Sequence, residues 1–390
     1  MGRAGRIVAI LLLSASPAAA DPETSPITDS NYSIELYDGV PIGNVALIGM
    51  GGATTANAIG TAGTLYNVSA PAVRPTTDTD SWSWDYHLDY LYGSLSSDYD
   101  NNGFVTDTTA QRVLTAGLGG RYHNWAAAIT FIGQTEPVDA ELDGMGLEAS
   151  SYRTQFAIAK WVPEIDTAIG ISLDTATFDF HPEDGSRSLM SIGGGGAEIG
   201  AQWIPTMQDL RLGANLRSPI VGGDVTGCDP SDCVGWVLPQ QIVTAPRFSA
   251  GAAYRIGPSP WNQLVKGVFR DERATTLTAD VVVTGSTDNA FGLEEFGEHM
   301  LQRSGRHPSV SVRGGVEWEW KPGRLRIRGG SYWEPARFVG VPGRLHVTFG
   351  LELRVFEFWF LDRKRRGRIS LTADAAQYFS NGGLSVGFWH

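Results

Sequence analysis

The stretch Asp98-Tyr99-Asp100-Asn101-Asn102-Gly103 is the sequence's nearest approach to a metal-binding pattern. Side-chain oxygens recur at alternate positions, Asp98, Asp100 and Asn102, and Gly stands sixth, as in the first half of a calcium loop. The twelfth position, where such a loop carries Glu, is Thr109. Asp and Asn before Gly also make an ordinary turn, so both readings stand. Cys228 and Cys233 are the two cysteines, in Cys-Asp-Pro-Ser-Asp-Cys. In an oxidising compartment they read as a local disulfide. A metal pair is the weaker alternative, because no second Cys or His pair lies nearby in sequence. A third set is Arg313, Arg324, Arg326 and Arg328, with Glu317 and Glu319. These could pair across neighbouring strands as a salt-bridge ladder, or steer an anionic head group such as a carboxylate. There is no Gly-x-Ser-x-Gly elbow, phosphate loop or His-Glu-x-x-His, and the seven His are scattered. The chain therefore does not read as an enzyme, and it implies no cofactor.

What must position these residues is a set of strands. Val310, Val312, Val316, Trp318 and Trp320 alternate with Ser311, Arg313, Glu317 and Glu319. Leu325 and Ile327 alternate with Arg324, Arg326 and Arg328. The same period of two runs through Trp82, Trp84, Tyr86, Leu88 and Tyr90, through Leu210, Leu212, Ala214 and Leu216, and from Leu345 to Leu353. Successive side chains of a strand point to opposite faces, so each segment has one apolar and one polar face.

Alternation alone also fits a soluble sandwich. Three features favour a membrane. The segments run about 9 to 12 residues, the length that crosses a bilayer at a tilt. Aromatics such as Trp82, Trp84, Tyr92, Trp161, Trp203, Trp318, Trp320 and Trp333 gather near segment ends, as in interfacial girdles. The polar faces carry many charges, which suits a hydrated lumen. Strands cross lipid only as a closed barrel, because open edges leave backbone groups unpaired.

The N-terminus points the same way. Arg3 and Arg6, the apolar run Ile7 to Leu13 and Ala18-Ala19-Ala20 form a secretory signal peptide over residues 1–20. The net charge of −12 argues against nucleic acid. With 48 Gly, 12 Trp, 12 Tyr and 16 Phe, the composition suits a β-rich protein.

The fold expected is all-β: a transmembrane antiparallel β-barrel of about fourteen strands over residues 81–390. The strands are placed at 81–92, 110–121, 123–133, 151–161, 165–178, 188–203, 208–218, 246–257, 273–285, 308–320, 323–333, 344–360, 367–379 and 383–389. Connections after even-numbered strands are short, including a basic turn at Arg363 to Arg366, and those after odd-numbered strands are mostly longer. That parity puts the short turns and both termini on the periplasmic side. One long inner connection, 258–272, has an apolar spacing that suits a small amphipathic helix. Residues 21–80 are left over, and 41–73 carry no charge. A fourteen-stranded lumen would leak unless filled, so this segment reads as a plug inserted from the periplasmic side.

Residues 43–74, from Gly43-Asn44-Val45-Ala46-Leu47-Ile48-Gly49-Met50 to Leu65-Tyr66-Asn67-Val68-Ser69-Ala70-Pro71-Ala72, resemble the N-terminal hatch of the FadL-like outer-membrane transporters. Three later stretches are similar to the family in the same order: Gly213 to Pro219, Leu238-Pro239 leading to Arg247-Phe248-Ser249-Ala250-Gly251, and Arg326 to Pro335. The resemblance implies passive transport of long-chain fatty acids or hydrocarbons between hatch and wall. It places ligand contacts near Leu47, Ile48, Met50, Leu65, Tyr66 and Asn67. The implied partners are outer-membrane lipid, lipopolysaccharide and a hydrophobic small molecule, with the protein a monomer in the outer membrane of a Gram-negative cell. Glu136, Asp139, Asp143, Glu294, Glu295 and Glu298 either bridge lipopolysaccharide through divalent cations or form solvated loops. The alternative function is a non-transporting scaffold or secretion-partner barrel. Three departures stand out. Proline is displaced in the hatch turn. The third strand, 123–133, lacks the internal Gly or Pro that kinks the family's third strand to open a lateral exit. The chain ends in His390 rather than an aromatic residue.

Overall fold

The computed structural model describes residues 24–36, 38–105, 110–142, 144–185, 187–228, 233, 235–265, 269–360 and 363–388. The expected signal peptide, Thr109 and Asp143 lie outside the described residues.

Fourteen antiparallel strands among the described residues close into a barrel. They are β1 (Trp82–Gly93), β2 (Arg112–Tyr122), β3 (Trp125–Leu142), β4 (Met145–Val162), β5 (Thr167–Pro182), β6 (Met190–Trp203), β7 (Leu210–Arg217), β8 (Arg247–Ile256), β9 (Thr275–Thr284), β10 (Ser309–Lys321), β11 (Leu325–Glu334), β12 (Arg344–Phe360), β13 (Arg363–Ala376) and β14 (Phe379–Phe388). Each pairs with the next, and β14 returns to β1 from Asn381↔Gly93 to Gly387↔His87. Closure satisfies the backbone without edges.

The alternation sorts side chains as a lipid-facing barrel requires. On β5, Leu173 is 66% exposed and its neighbour Asp174 is 2% exposed. Leu118, Ile171, Val312 and Val347 point outward, while Thr115, Ser172, Arg313 and Thr348 are buried inward. An arginine turned to the bilayer midplane costs roughly 2–4 kcal/mol, which pins the register of the arginine-bearing strands.

Four expectations are corrected. β3 and β4 run on past the predicted ends and meet at Leu142↔Met145, so the expected longer third loop is a tight hairpin around Gly144, whose φ is +79°. The strands pair beyond the apolar belt through Pro137 and a register shift between Val138 and Glu141. The predicted basic turn belongs to β13, paired with β12 as far as Phe360↔Arg363. Arg366 there is buried and bonded to Asp271 and Glu357, not solvated. The connection 258–272 forms no helix among its described residues; Trp261 folds into the lumen instead.

The fourth correction concerns the N-terminal segment. Thr24–Pro26 pairs with Met300–Gln302, and Ser33–Glu35 pairs in parallel with Gln241–Thr244 and Ala290–Phe291. Those partners lie in the long connections after β7 and β9, at the end opposite the short turns. Residues 24–36 therefore sit on the outer side. Tyr32 and Ile34 are fully buried there beside Phe180, Trp236, Leu238 and Phe296, in an apolar cap built from loops. The chain then descends through the lumen. Asp38 meets Arg217 and Arg247, Asn44 meets Asp89, and Asp78 meets Arg121 near the short turns.

Bare wall backbone seats this inner segment. A Cβ on Gly315 or Gly330 would collide with the backbone at Met50 and Gly51, one on Gly213 with Thr55, and one on Gly170 with Val68. Only glycine lets two backbones come this close.

Candidate functional site

Below the inner segment the lumen holds a chamber. Its roof includes Asn44, Leu47 and Ile59, its walls come from β7 to β13, and its floor includes Trp261, Phe269 and Arg270. On the wall, Arg326 and Arg328 of β11 lie between Glu317 and Glu319 of β10 and Glu352 of β12. Arg328 is 3.0 Å from Glu352 and donates to Glu317 over 2.7 Å. Arg326 is 3.3 Å from both Glu319 and Glu352, and Arg368 of β13 is 3.4 Å from Glu352. Neighbouring strands place opposite charges side by side, and the result is a buried cross-strand ladder.

The predicted lumen charges divide accordingly. Glu317, Arg326 and Arg328 share the ladder. Arg313 sits apart, donating from Nη2 to Gly39 O over 3.0 Å with its guanidinium 5.5 Å from the Tyr332 ring centroid. Arg324 is corrected: it lies exposed at the turn before β11, outside the lumen ladder. The predicted ligand residues scatter as well. Leu47 lines the chamber. Ile48 packs with Val45, Leu91, Val113 and Ile132. Met50 is buried against the wall glycines. Leu65 and Tyr66 line a separate small crevice with Glu198, Arg217 and Arg247. Asn67 is fully buried and donates to the carbonyls of Thr55, Ala201 and Ala214, so it holds the segment to β6 and β7.

A second cavity opens among the short turns. Val73, Trp161, Ile204, Met207 and Leu264 give it an apolar wall. It shares Thr76 and Arg211 with the chamber above.

No protein-family profile matches the chain, and no curated protein matches it at the sequence level. Solved structures do match in shape. A structure titled the CymD monoaromatic hydrocarbon channel aligns with a TM-score of 0.55 at 12% identity, covering 90% of this chain and 97% of that one. The P. putida toluene transporter TodX gives 0.55 at 12%, covering 90% and 98%. A Pseudomonas aeruginosa FadL homologue gives 0.52 at 12%, covering 90% and 99%. The fold is that of the FadL-like channels.

β3 pairs with β2 without a break from Tyr122↔Trp125 to Arg112↔Thr135, and with β4 from Trp125↔Lys160 to Val138↔Leu147. Both ladders are continuous over the predicted strand 123–133; beyond it Pro137 lies in the strand and the pairing with β4 shifts between Val138 and Glu141.

The chamber residues that sequence reading missed are Arg211, Arg255, Trp261, Arg270 and Arg366. Arg211 was visible as a polar-face residue of its strand, and Trp261 as an apolar residue of the long inner connection. Nothing in linear spacing joins them; barrel closure and the inward fold of 258–272 do.

The outer loops resolve the Asp98 motif. Asp98 accepts N–H bonds from Asn102 and Gly103, both at 3.0 Å, which makes it the hub of a turn. Asn102 donates to Glu294 Oε2 over 2.6 Å and to Glu295 Oε1 over 3.0 Å. Among the described residues, no group of three or more His, Cys, Asp or Glu is placed to hold a metal. Burial, and then the neighbouring Glu294 carboxylate, push Glu295 up to about 8. Burial and the carboxylates of Glu294 and Asp98 raise Asp100 well above the usual range. A carboxyl whose pKa is raised by folding favours the fold while protonated. That contribution is whole below the ordinary carboxylate range and is lost as pH rises through about 8 for Glu295. Amide exchange in 94–105 and 285–308 is therefore expected to speed up between pH 6 and 9 beyond the intrinsic base-catalysed rise. In Glu295→Gln that extra rise should shrink. Equal pH profiles in the two proteins would refute the assignment.

Cys228 and Cys233 have their Cα atoms 5.2 Å apart, within disulfide reach.

Proposed function

We propose that this chain is a passive outer-membrane transporter of hydrophobic small molecules, long-chain fatty acids or hydrocarbons. The lumenal segment, 38–78, acts as its plug, and the ligand passes between plug and barrel wall. The barrel works as a monomer in contact with outer-membrane lipid and lipopolysaccharide, and the Cys228–Cys233 disulfide staples its outer loop.

One observation carries the reading: an uncharged segment is seated in a charged lumen by individual hydrogen bonds to the wall rather than by strand pairing with it. Val45 N–H bonds to Asp89, Gly51 N–H to Thr348, Thr55 N–H to Asp280 and Val68 N–H to Asn215. Each such bond contributes about 1 kcal/mol net, or somewhat more where the acceptor is charged. A segment held this way can shift locally without disturbing the barrel's own ladders. The fold shared with structures titled as hydrocarbon channels and a toluene transporter supports the same reading. No catalytic step is required, because the ligand moves down its gradient.

Uptake of labelled palmitate into liposomes carrying the purified protein is expected to outpace uptake into empty liposomes by roughly tenfold or more. Equal rates, with the protein shown to be folded and inserted, would overturn the proposal.

A further inference from the structure

The chamber and the groove among the short turns meet at Arg211, whose surroundings are unusual for a buried arginine. It is 2% exposed. Its Nε donates to Asn262 Oδ1 over 2.9 Å, and its guanidinium lies 3.9 Å from the Trp261 ring centroid. Its Nη1 is buried without an acceptor. Among the described residues, no carboxylate comes within 4.0 Å of it. Burying a cation without an anionic partner is costly, and most buried arginines are paired. The two arginines that line the chamber beside it do not relieve the charge. Arg255, at 2.6 Å, and Arg270, at 2.5 Å, share the single carboxylate of Glu272. Asp209 accepts the Trp261 backbone N–H over 2.6 Å and also faces Arg270, so three arginines here meet two carboxylates and one positive charge is left over.

We infer that Arg211, stacked on Trp261, is an anion-recognition site at an axial exit from the lumen, and that it takes the carboxylate head of a long-chain amphiphile. Resting on the transport reading, this names the ligand's head group and its route. Asn262 holds one edge of the guanidinium and Trp261 covers its face, which leaves the Nη edge for a planar, two-oxygen acceptor. Val73, Trp161, Ile204, Met207 and Leu264 supply an apolar wall for the chain beyond the head. From Trp125 to Thr135 both ladders of β3 run without a gap, which leaves no sideways route over that stretch, whereas the groove opens directly among the short turns.

The test is equilibrium binding of tritiated palmitate and of its methyl ester to the full-length protein in non-ionic detergent. Arg211→Gln is expected to weaken palmitate binding by roughly tenfold or more and to leave the methyl ester within about twofold. Arg211→Lys should retain part of the preference. Millimolar acetate should not displace palmitate. Equal losses for acid and ester, no loss for either, or displacement by acetate as effective as by palmitate would each overturn the site. If Arg211→Gln fails to give a folded barrel, Asn262→Ala keeps the charge and loosens its orientation, and should produce a smaller but still acid-selective loss. Binding is read without transport. Acid-selective binding with no liposome uptake would remove the transport reading alone, and uptake with no acid selectivity would remove the site alone.

Discussion

Deleting residues 21–75 is expected to turn a closed barrel into an open pore. Single-channel conductance in planar bilayers should rise at least roughly tenfold over the full-length protein, because a fourteen-stranded barrel lies between the small barrels filled by their own side chains and the wide water-filled porins. The deleted stretch touches the wall through Asp89, Thr348, Asp280 and Asn215 and pairs with loop strands at Gln241–Thr244, Ala290–Phe291 and Met300–Gln302, but none of the fourteen barrel strands pairs with it. The shortened chain should therefore still insert and still migrate as a compact band in unheated gels. The wall groups it leaves behind gain water as the lumen opens, so they are not left dry and unpaired. A smaller change gives a graded version. Gly330→Val drives a side chain into the backbone at Met50 and Gly51 and should yield brief, partial openings. A folded deletion protein as tight as the full chain would show that loops and wall side chains seal the barrel, and the plug assignment would fall.

The barrel was legible because lipid enforces a strict rule. Strand after strand, the apolar positions named from period-two alternation face outward and their charged neighbours face inward. Leu173 and Asp174 obey it, and so do Val312 and Arg313. Closing the cylinder needs no further information, since an open edge is forbidden. What the alternation could not supply lay where lipid exerts no selection. The extension of β3 and β4 beyond the bilayer is decided by the turn at Gly144, not by hydropathy. The outward path of residues 24–36 depends on Tyr32 and Ile34 finding an apolar cap assembled from loops far apart in sequence. Linear reading assigned the whole leftover segment to the lumen because it had no other partner to offer. The candidate site suffered the same loss. Leu47, Ile48 and Met50 are neighbours in sequence, yet one faces the chamber, one packs against β1 to β3 and one meets the wall glycines. A short, irregular segment has no period from which its faces can be read.

Glu352→Ala tests whether the wall charges hold the barrel or serve a ligand. Glu352 is 2% exposed and faces Arg326, Arg328 and Arg368, and it also accepts from Ser370 Oγ over 3.0 Å. With Glu317 and Glu319 opposite, three arginines meet three carboxylates. Removing the central one leaves an uncompensated cation in a wall that is lipid on one side. Breaking a buried pair in this way costs about 3–5 kcal/mol. The chamber admits some water, so the lower end of that range is the expected loss in guanidinium unfolding from detergent micelles. Glu352→Gln keeps the shape and one hydrogen-bond acceptor and should lose less. Arg328→Met in the Glu352→Ala background removes the orphaned cation, and should restore part of the stability if the two residues are coupled. A ligand-binding role predicts the reverse pattern: stability within about 0.5 kcal/mol of the parent, as for solvated ion pairs, with a loss in palmitate affinity instead. The geometry favours the first outcome, because Arg326, Arg328 and Glu352 already pair with one another, whereas Arg211 across the chamber has no carboxylate beside it.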